Sequence, residues 1–198
     1  MDLISTLSLA MGASWASGLR LYATVATLGL LGRYAGLALP GSLTVLETPW
    51  VIGVALALFL VEFFADKIPY VDSAWDAVQT FLRIPAGAVL AAGAFGQFNP
   101  AVQVVALLLG GSLAFSSHGM KAATRATLNL SPEPVSNVVA STAEDGLSLG
   151  AILLAWLTPV LLVVLVVAAF VVSLVLLPRI WRTWRRWRRP RPAAVQPP

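Results

Sequence analysis

Cysteine is absent from this 198-residue sequence, and histidine occurs once, at His118. Disulfides, thiolate metal sites and cysteine nucleophiles are therefore excluded, and so is any multi-histidine metal centre. Charge is scarce as well: 11% of residues are Asp, Glu, Lys or Arg, where a soluble domain carries about 25%. So large a deficit leaves too little polar surface to clothe a globule in water. No Walker loop, HExxH, GxSxG or dinucleotide fingerprint is present, which counts against an ATP-driven pump and the familiar hydrolases. The opening Met1-Asp2-Leu3 lacks the basic region of a signal peptide, so the first apolar run reads as a retained helix. No cofactor is expected.

What fills the chain instead is apolar: 58% of residues are hydrophobic and the mean hydropathy is +0.83. Lipid is the natural solvent, and the expected fold is all-α, a polytopic bundle of about six transmembrane helices over residues 1–178 with a basic tail at 179–198. A span needs about 20 mostly apolar residues. The first would run from Leu3 to Leu31, long enough to be tilted or broken, with Gly12 and Gly18 as break points. Pro49 suits the first turn of the second helix, which ends at Ala65 before Asp66, Lys67 and Pro69. The third runs from Val71 to Phe95, with Pro85 inside it. The fourth covers Ala101 to Asn129, and SPEP then breaks the chain. The fifth is Val135 to Leu157, and Thr158-Pro159 turns into Val160–Leu177, which carries no charge.

The charge that exists is lopsided. Seven of the 13 basic residues lie in the last 20 positions, from Arg179 to Arg191, leaving six basic against nine acidic groups in the body. The pI near 10.1 thus describes a tail. An arginine run directly after an apolar helix is a cytoplasmic anchor by the positive-inside rule, which explains it more simply than nucleic-acid binding. Six crossings would then put both termini in the cytoplasm of a bacterial inner membrane. Trp181, Trp184 and Trp187, interleaved with the arginines, suit an interface with anionic lipid.

Two internal echoes stand out. Residues 15–30 match residues 115–130 at seven of 16 positions, among them Ser17/Ser117, Thr24/Thr124 and Thr27/Thr127. At an offset of 65, Asp72, Asp76, Gln79 and Arg83 on the third helix parallel Asn137, Ser141, Glu144 and Ser148 on the fifth, both spaced i, i+4, i+7, i+11. Each set makes one polar stripe on a helix. Six crossings make the members of the first echo antiparallel and those of the second parallel, so one rigid duplication requires a re-entrant element. Repeats with a site at their interface are common in transporters.

Charges inside the spans carry the functional reading. Each costs roughly 2.5–3.5 kcal/mol at a helix centre, so they must meet counter-charges or water. Glu62, Asp66, Asp72, Asp76 and Arg83 are expected to form an ion-pair network with the basic stripe His118, Lys121, Arg125 and Asn129. Glu144 and Asp145 are adjacent acids at mid-depth, with His118, Arg20 or Lys121 as partners. They repel one another, so one is expected to hold its proton at neutral pH, a proton carrier's property. For Glu62, Asp66, Lys67 and Asp72, near a boundary, simple locking of helices is the stronger reading. The hydroxyls of Ser17, Thr24, Ser116, Ser117, Thr124 and Thr127, with Gly110 and Gly111, suit close helix packing.

The segments WASGLRLYATV, VEFFADKIPYVDSAWDAVQTFLR, SSHGMKAATRATLN and SPEPVSNVVASTAEDG run from Trp15 to Gly146. On them the chain resembles a prokaryotic membrane-protein family known as domain of unknown function 4126. The resemblance implies membrane location and offers no chemistry. The expected function is a small secondary transporter or channel, proton-coupled through Glu144 and Asp145, for a small solute or ion. The alternatives are a lipid-handling membrane enzyme whose basic stripe grips a phosphate headgroup, and an assembly partner without chemistry of its own. Self-assembly into a homo-oligomer is compatible with each.

Overall fold

The computed structural model describes residues 2–68, 71–128 and 134–187, with the side chains of residues 72, 73, 134 and 184–187 outside that description. Seven α-helices follow one another: α1 (Leu3–Leu19), α2 (Leu21–Ala35), α3 (Pro49–Ala65), α4 (Val71–Ala94), α5 (Pro100–Leu128), α6 (Pro134–Leu157) and α7 (Pro159–Trp187). A 3₁₀ segment, Gly41–Glu47, precedes α3. Among the described residues there is no strand. Prolines open α3, α5, α6 and α7, where a missing N–H costs nothing. Asp2 caps α1, its carboxylate accepting the Ser5 N–H at 2.7 Å, a bond that lowers its pKa. Gly36 ends α2 at φ 78° with nothing near its missing side chain. Gly36→Ala is therefore expected to cost about 1 kcal/mol through backbone strain alone, readable as a small shift in reversible unfolding.

Among the described residues four helices are long and apolar enough to cross a bilayer, or five if the 3₁₀ segment and α3, bent by 73°, count as one span. The remaining pair, α1 and α2, does not form the continuous first span expected from Leu3 to Leu31. It breaks at Arg20 (φ −144°, ψ 87°), not at Gly12 or Gly18.

Helix directions follow from which residues meet. Ser14 lies at Gly110, Gly18 at Ala114, and the Leu19 carbonyl at Lys121, so α1 and α5 run parallel. Gly12 packs on Ala151 and Ala155 while Arg20 reaches Ser141, so α6 runs antiparallel to α1. Gly12 also meets Leu162, and Gly119 meets Leu177, which aligns α7 with α1 and α5. Gly87 meets Ala114 and Gly110 meets Ala91, giving an antiparallel α4–α5 hairpin. Along α2 and α3, Gly29 faces Ile52 and Tyr22 shares a wall with Leu58, again antiparallel. Gly41 seats the 3₁₀ segment on Gly93 and Gly96 at the end of α4, and α3 returns to place Glu62 on Arg83.

These contacts mean that α2 heads back toward the face from which α1 came. The pair is a helical hairpin with Arg20 at its tip, and beside it the described residues hold four to five candidate spans, in keeping with the expected count of about six. Of the first echo, residues 21–30 lie on α2, which runs antiparallel to α5, and residues 15–19 on α1, which runs parallel to it. Non-helical backbone at membrane depth is tolerated where protein covers it, and α1 is enclosed by α4, α5, α6 and α7.

Small residues permit that enclosure. A methyl group on Gly18 would lie 2.0 Å from Ser117 Oγ, and one on Gly87 would lie 2.5 Å from the Ala114 methyl. Ser14 Oγ lies 2.8 Å from the Gly87 carbonyl. Ser17, Thr24, Ser116, Ser117 and Gly110 pack inside as expected. Thr124 and Thr127 are exposed, and Gly111 has only Ala88 near it.

Candidate functional site

The break at Arg20 needs little repair because both helix ends find partners. The Arg20 N–H still bonds the Ala16 carbonyl at 2.8 Å, and the Arg20 carbonyl accepts the Thr24 N–H at 3.0 Å and its hydroxyl at 2.7 Å. At the carboxyl end of α1, Lys121 Nζ lies 3.4 Å from the Leu19 carbonyl, where a cation also suits the helix dipole.

The Arg20 guanidinium is fully buried and ties two helices, α3 and α6, to the tip. Nη1 pairs with Asp66 at the end of α3. Nη2 donates to Ser141 Oγ at 2.7 Å and to the Ser141 carbonyl at 3.1 Å, and lies 3.7 Å from Glu144. Nε lies 2.9 Å from Asp145 Oδ1, an ion pair in which the N–H is not aimed at the oxygen, so no hydrogen bond forms.

Lys121 is the hub. Its ammonium lies 3.0 Å from Asp66, 3.0 Å from Asp76 and 3.3 Å from Glu144, carboxylates delivered by three different helices. From Asp76 the chain of charges continues to Arg83 at 2.6 Å, and from Arg83 Nη2 to Glu62 at 2.5 Å. From Glu144 it continues to Arg125, whose Nε and Nη2 donate to the two carboxylate oxygens at 3.1 and 3.0 Å. Arg125 Nη1 also lies 3.3 Å from the Asn137 carbonyl.

Nine charged side chains, all expected as site residues, thus form one continuous assembly: Glu62, Arg83, Asp76, Lys121, Asp66, Arg20, Asp145, Glu144 and Arg125. Both polar stripes face inward, as the buried Gln79 and Arg83 on α4 and Asn137, Ser141 and Ser148 on α6 show. Two expectations change. The acids Glu144 and Asp145 and the boundary network are not separate sites, because Lys121 and Arg20 fuse them. Among the described residues Arg125 pairs with Glu144, an acid of α6. His118 sits beside the assembly and not on Glu144: its Nε2 lies 2.7 Å from Thr80 Oγ1, whose hydroxyl donates to the Asp76 carbonyl. That direction makes His118 the donor to Thr80. Asn129 and the side chain of Asp72 lie outside the described residues.

Sequence reasoning missed the hydroxyls of Thr80 and Ser141 as direct partners, and Tyr22, whose hydroxyl accepts from Gln79 at 3.3 Å. For Ser141 the signal was present in its stripe. For Tyr22 and Thr80 there was none, since only the hairpin and α5 bring partners to them. No group of three or more His, Asp or Glu able to hold a metal ion occurs among the described residues.

Apolar helices long enough to cross a bilayer, enclosing buried charges of both signs, mark a polytopic membrane protein with a polar interior. The family model described as "Domain of unknown function (DUF4126)" matches residues 7–179. The chain belongs to that family. Neither a curated protein nor a solved structure matches it.

Proposed function

We propose that this chain is a small secondary transporter, coupled to protons, of the bacterial cytoplasmic membrane. The observation that carries the reading is Lys121, one ammonium shared by Asp66, Asp76 and Glu144 within 3.3 Å. A proton arriving on any one acid releases the lysine to the other two. Which helices are held together then changes with protonation, and that is the two-state element coupling requires. Among the described residues the assembly's ion pairs join five acids to four bases, and the charge of Lys67 also acts on Asp66 and Asp145. Asp145, half-buried and paired with Arg20, is the acid best placed to exchange a proton.

The architecture supports the same reading. Transporters place their sites near the midplane at broken helices, and Arg20 is the tip of one. The internal echoes fit as a duplication whose halves exchange partners. Lys121 of α5 meets Asp76 of α4, while Arg20 of the hairpin meets Ser141 of α6, and Asp76 and Ser141 are counterparts at offset 65. The arginine end of α7 would lie in the cytoplasm against anionic lipid. Gripping of a phosphate headgroup by Lys121 and Arg125 is less favoured, because carboxylates already face both cations.

The test is charge movement by reconstituted protein on a solid-supported membrane, across an ion and solute panel with pH steps. A pH-driven current is expected. It should vanish in Glu144→Gln/Asp145→Asn and fall in Asp145→Asn alone, which leaves the Glu144–Arg125 pair in place. Silence across the panel with folded protein, or currents indifferent to both variants, would sink the proposal.

A further inference from the structure

Two cavities of about 320 and 390 Å³ meet along α6 and α7, sharing Trp15, Leu147 and Ala169 in their walls. The first is polar at one end, where Lys121 and Glu144 reach its wall beside Ser116, Ser117 and Ser173. The second is apolar, walled by Leu154, Leu162, Leu165 and Val166. Gly146 and Gly150, one helical turn apart on α6, line the apolar arm, and a methyl group on either would meet nothing within 4 Å. The groove therefore has a polar head and an apolar body.

The chemistry of the head is one-sided. Lys121 has three N–H bonds, and three carboxylates and the Leu19 carbonyl lie within 3.4 Å of it. Ser116, Ser117 and Ser173 each donate their hydroxyl to their own helix, to Leu113, Ala114 and Phe170 at 2.9, 3.1 and 2.7 Å. What these groups still offer is lone pairs: three hydroxyl oxygens, and the remaining position of a Glu144 carboxylate that has about four. A guest here must donate hydrogen bonds, and phosphate or carboxylate heads have none to give. The carboxylates of the adjoining assembly favour a cationic head, and Trp15 lines the junction of the two arms.

We propose that this groove binds a single-chain amphiphile with an ammonium head, the head against Glu144 and the three serine oxygens, and the chain along the α6–α7 arm. The groove shares Glu144 with the assembly of the transport reading, but its test does not depend on transport. Binding is measured without any gradient, so retention without current would sink transport alone, and current without retention would sink the groove alone.

The experiment is native mass spectrometry of the full chain from uncharged micelles with three probes of equal chain length: dodecylammonium, dodecanol and dodecyl phosphate. Dodecylammonium is expected to be retained at least about tenfold more than the other two, a difference of roughly 1.4 kcal/mol. Gly150→Leu should fill the apolar arm without clash and lower that retention by a similar factor. Gly146→Leu serves the same purpose if the first variant fails to fold. Equal retention of dodecanol would overturn the cationic head, equal retention of dodecyl phosphate would overturn the acceptor-lined site, and retention unchanged in the folded glycine variants would overturn the groove.

Discussion

Replacing Arg20 with alanine is expected to destabilise the folded bundle by about 3–5 kcal/mol, the cost of breaking a buried ion pair by removing one partner. The guanidinium is the shared counter-charge of Asp66 and Asp145 and the donor to Ser141. Its loss removes the ion pair described for Asp145 and leaves Asp66 with Lys121 alone among the described residues. Lysine at this position should recover only part of the loss, because an ammonium cannot present the planar fork that reaches α3 and α6 at once. Asp66→Asn placed on top of Arg20→Ala should restore part of the stability by removing the stranded charge. Reversible unfolding in mixed micelles measures all three variants. A cost below about 1 kcal/mol, typical of solvated pairs, would mean that water reaches the hairpin tip.

Gly18→Val is expected to cost at least about 3 kcal/mol, at the upper end of what overpacking does in a close-packed interior. The added Cβ would lie 2.0 Å from Ser117 Oγ and 2.3 Å from the Ala114 carbonyl oxygen. The serine can rotate away; the carbonyl is helix backbone and cannot. Relief requires moving α5 off α1, and Lys121 would move with it, away from the Leu19 carbonyl and Asp66. Loss of stability and loss of the pH-driven current should therefore arrive together. Gly53→Ala is the control, because nothing lies within 4 Å of that position. Equal stabilities for the two variants in the same unfolding assay would contradict the close α1–α5 crossing.

Much of the fold was legible because lipid imposes simple demands on a sequence. Long apolar runs must be helices, since no other local structure satisfies its own backbone in hydrocarbon, and prolines with polar turns mark their ends. The starts at Pro49 and Val71 emerged directly, and the later helices start within a residue of expectation, while α7 runs on to Trp187, ten residues past the expected Leu177. The inward faces of α4 and α6 were legible too, from the spacing of Asp76, Gln79 and Arg83 and of Asn137, Ser141, Glu144 and Ser148. The hairpin was not. Residues 3–31 read as one apolar run, and the only local hints of its reversal were excess length and the single charge of Arg20. Direction after a break depends on backbone angles at one residue, which composition does not encode.

By itself, then, the sequence determined the solvent, the helical class, most helix limits and the set of side chains too costly to leave facing lipid. Hydrophobic periodicity and the price of a buried charge are local properties, readable along one chain. Pairing is not local. That Lys121 answers Asp66, Asp76 and Glu144, that Arg125 belongs to Glu144, and that Arg20 closes the assembly from the tip of a hairpin were decided only by tertiary packing. Glycine and serine contacts between α1, α4 and α5 set the register of the helices. Charges 46 positions apart, such as Arg20 and Asp66, or 55 apart, such as Lys121 and Asp66, meet only where that register brings them together.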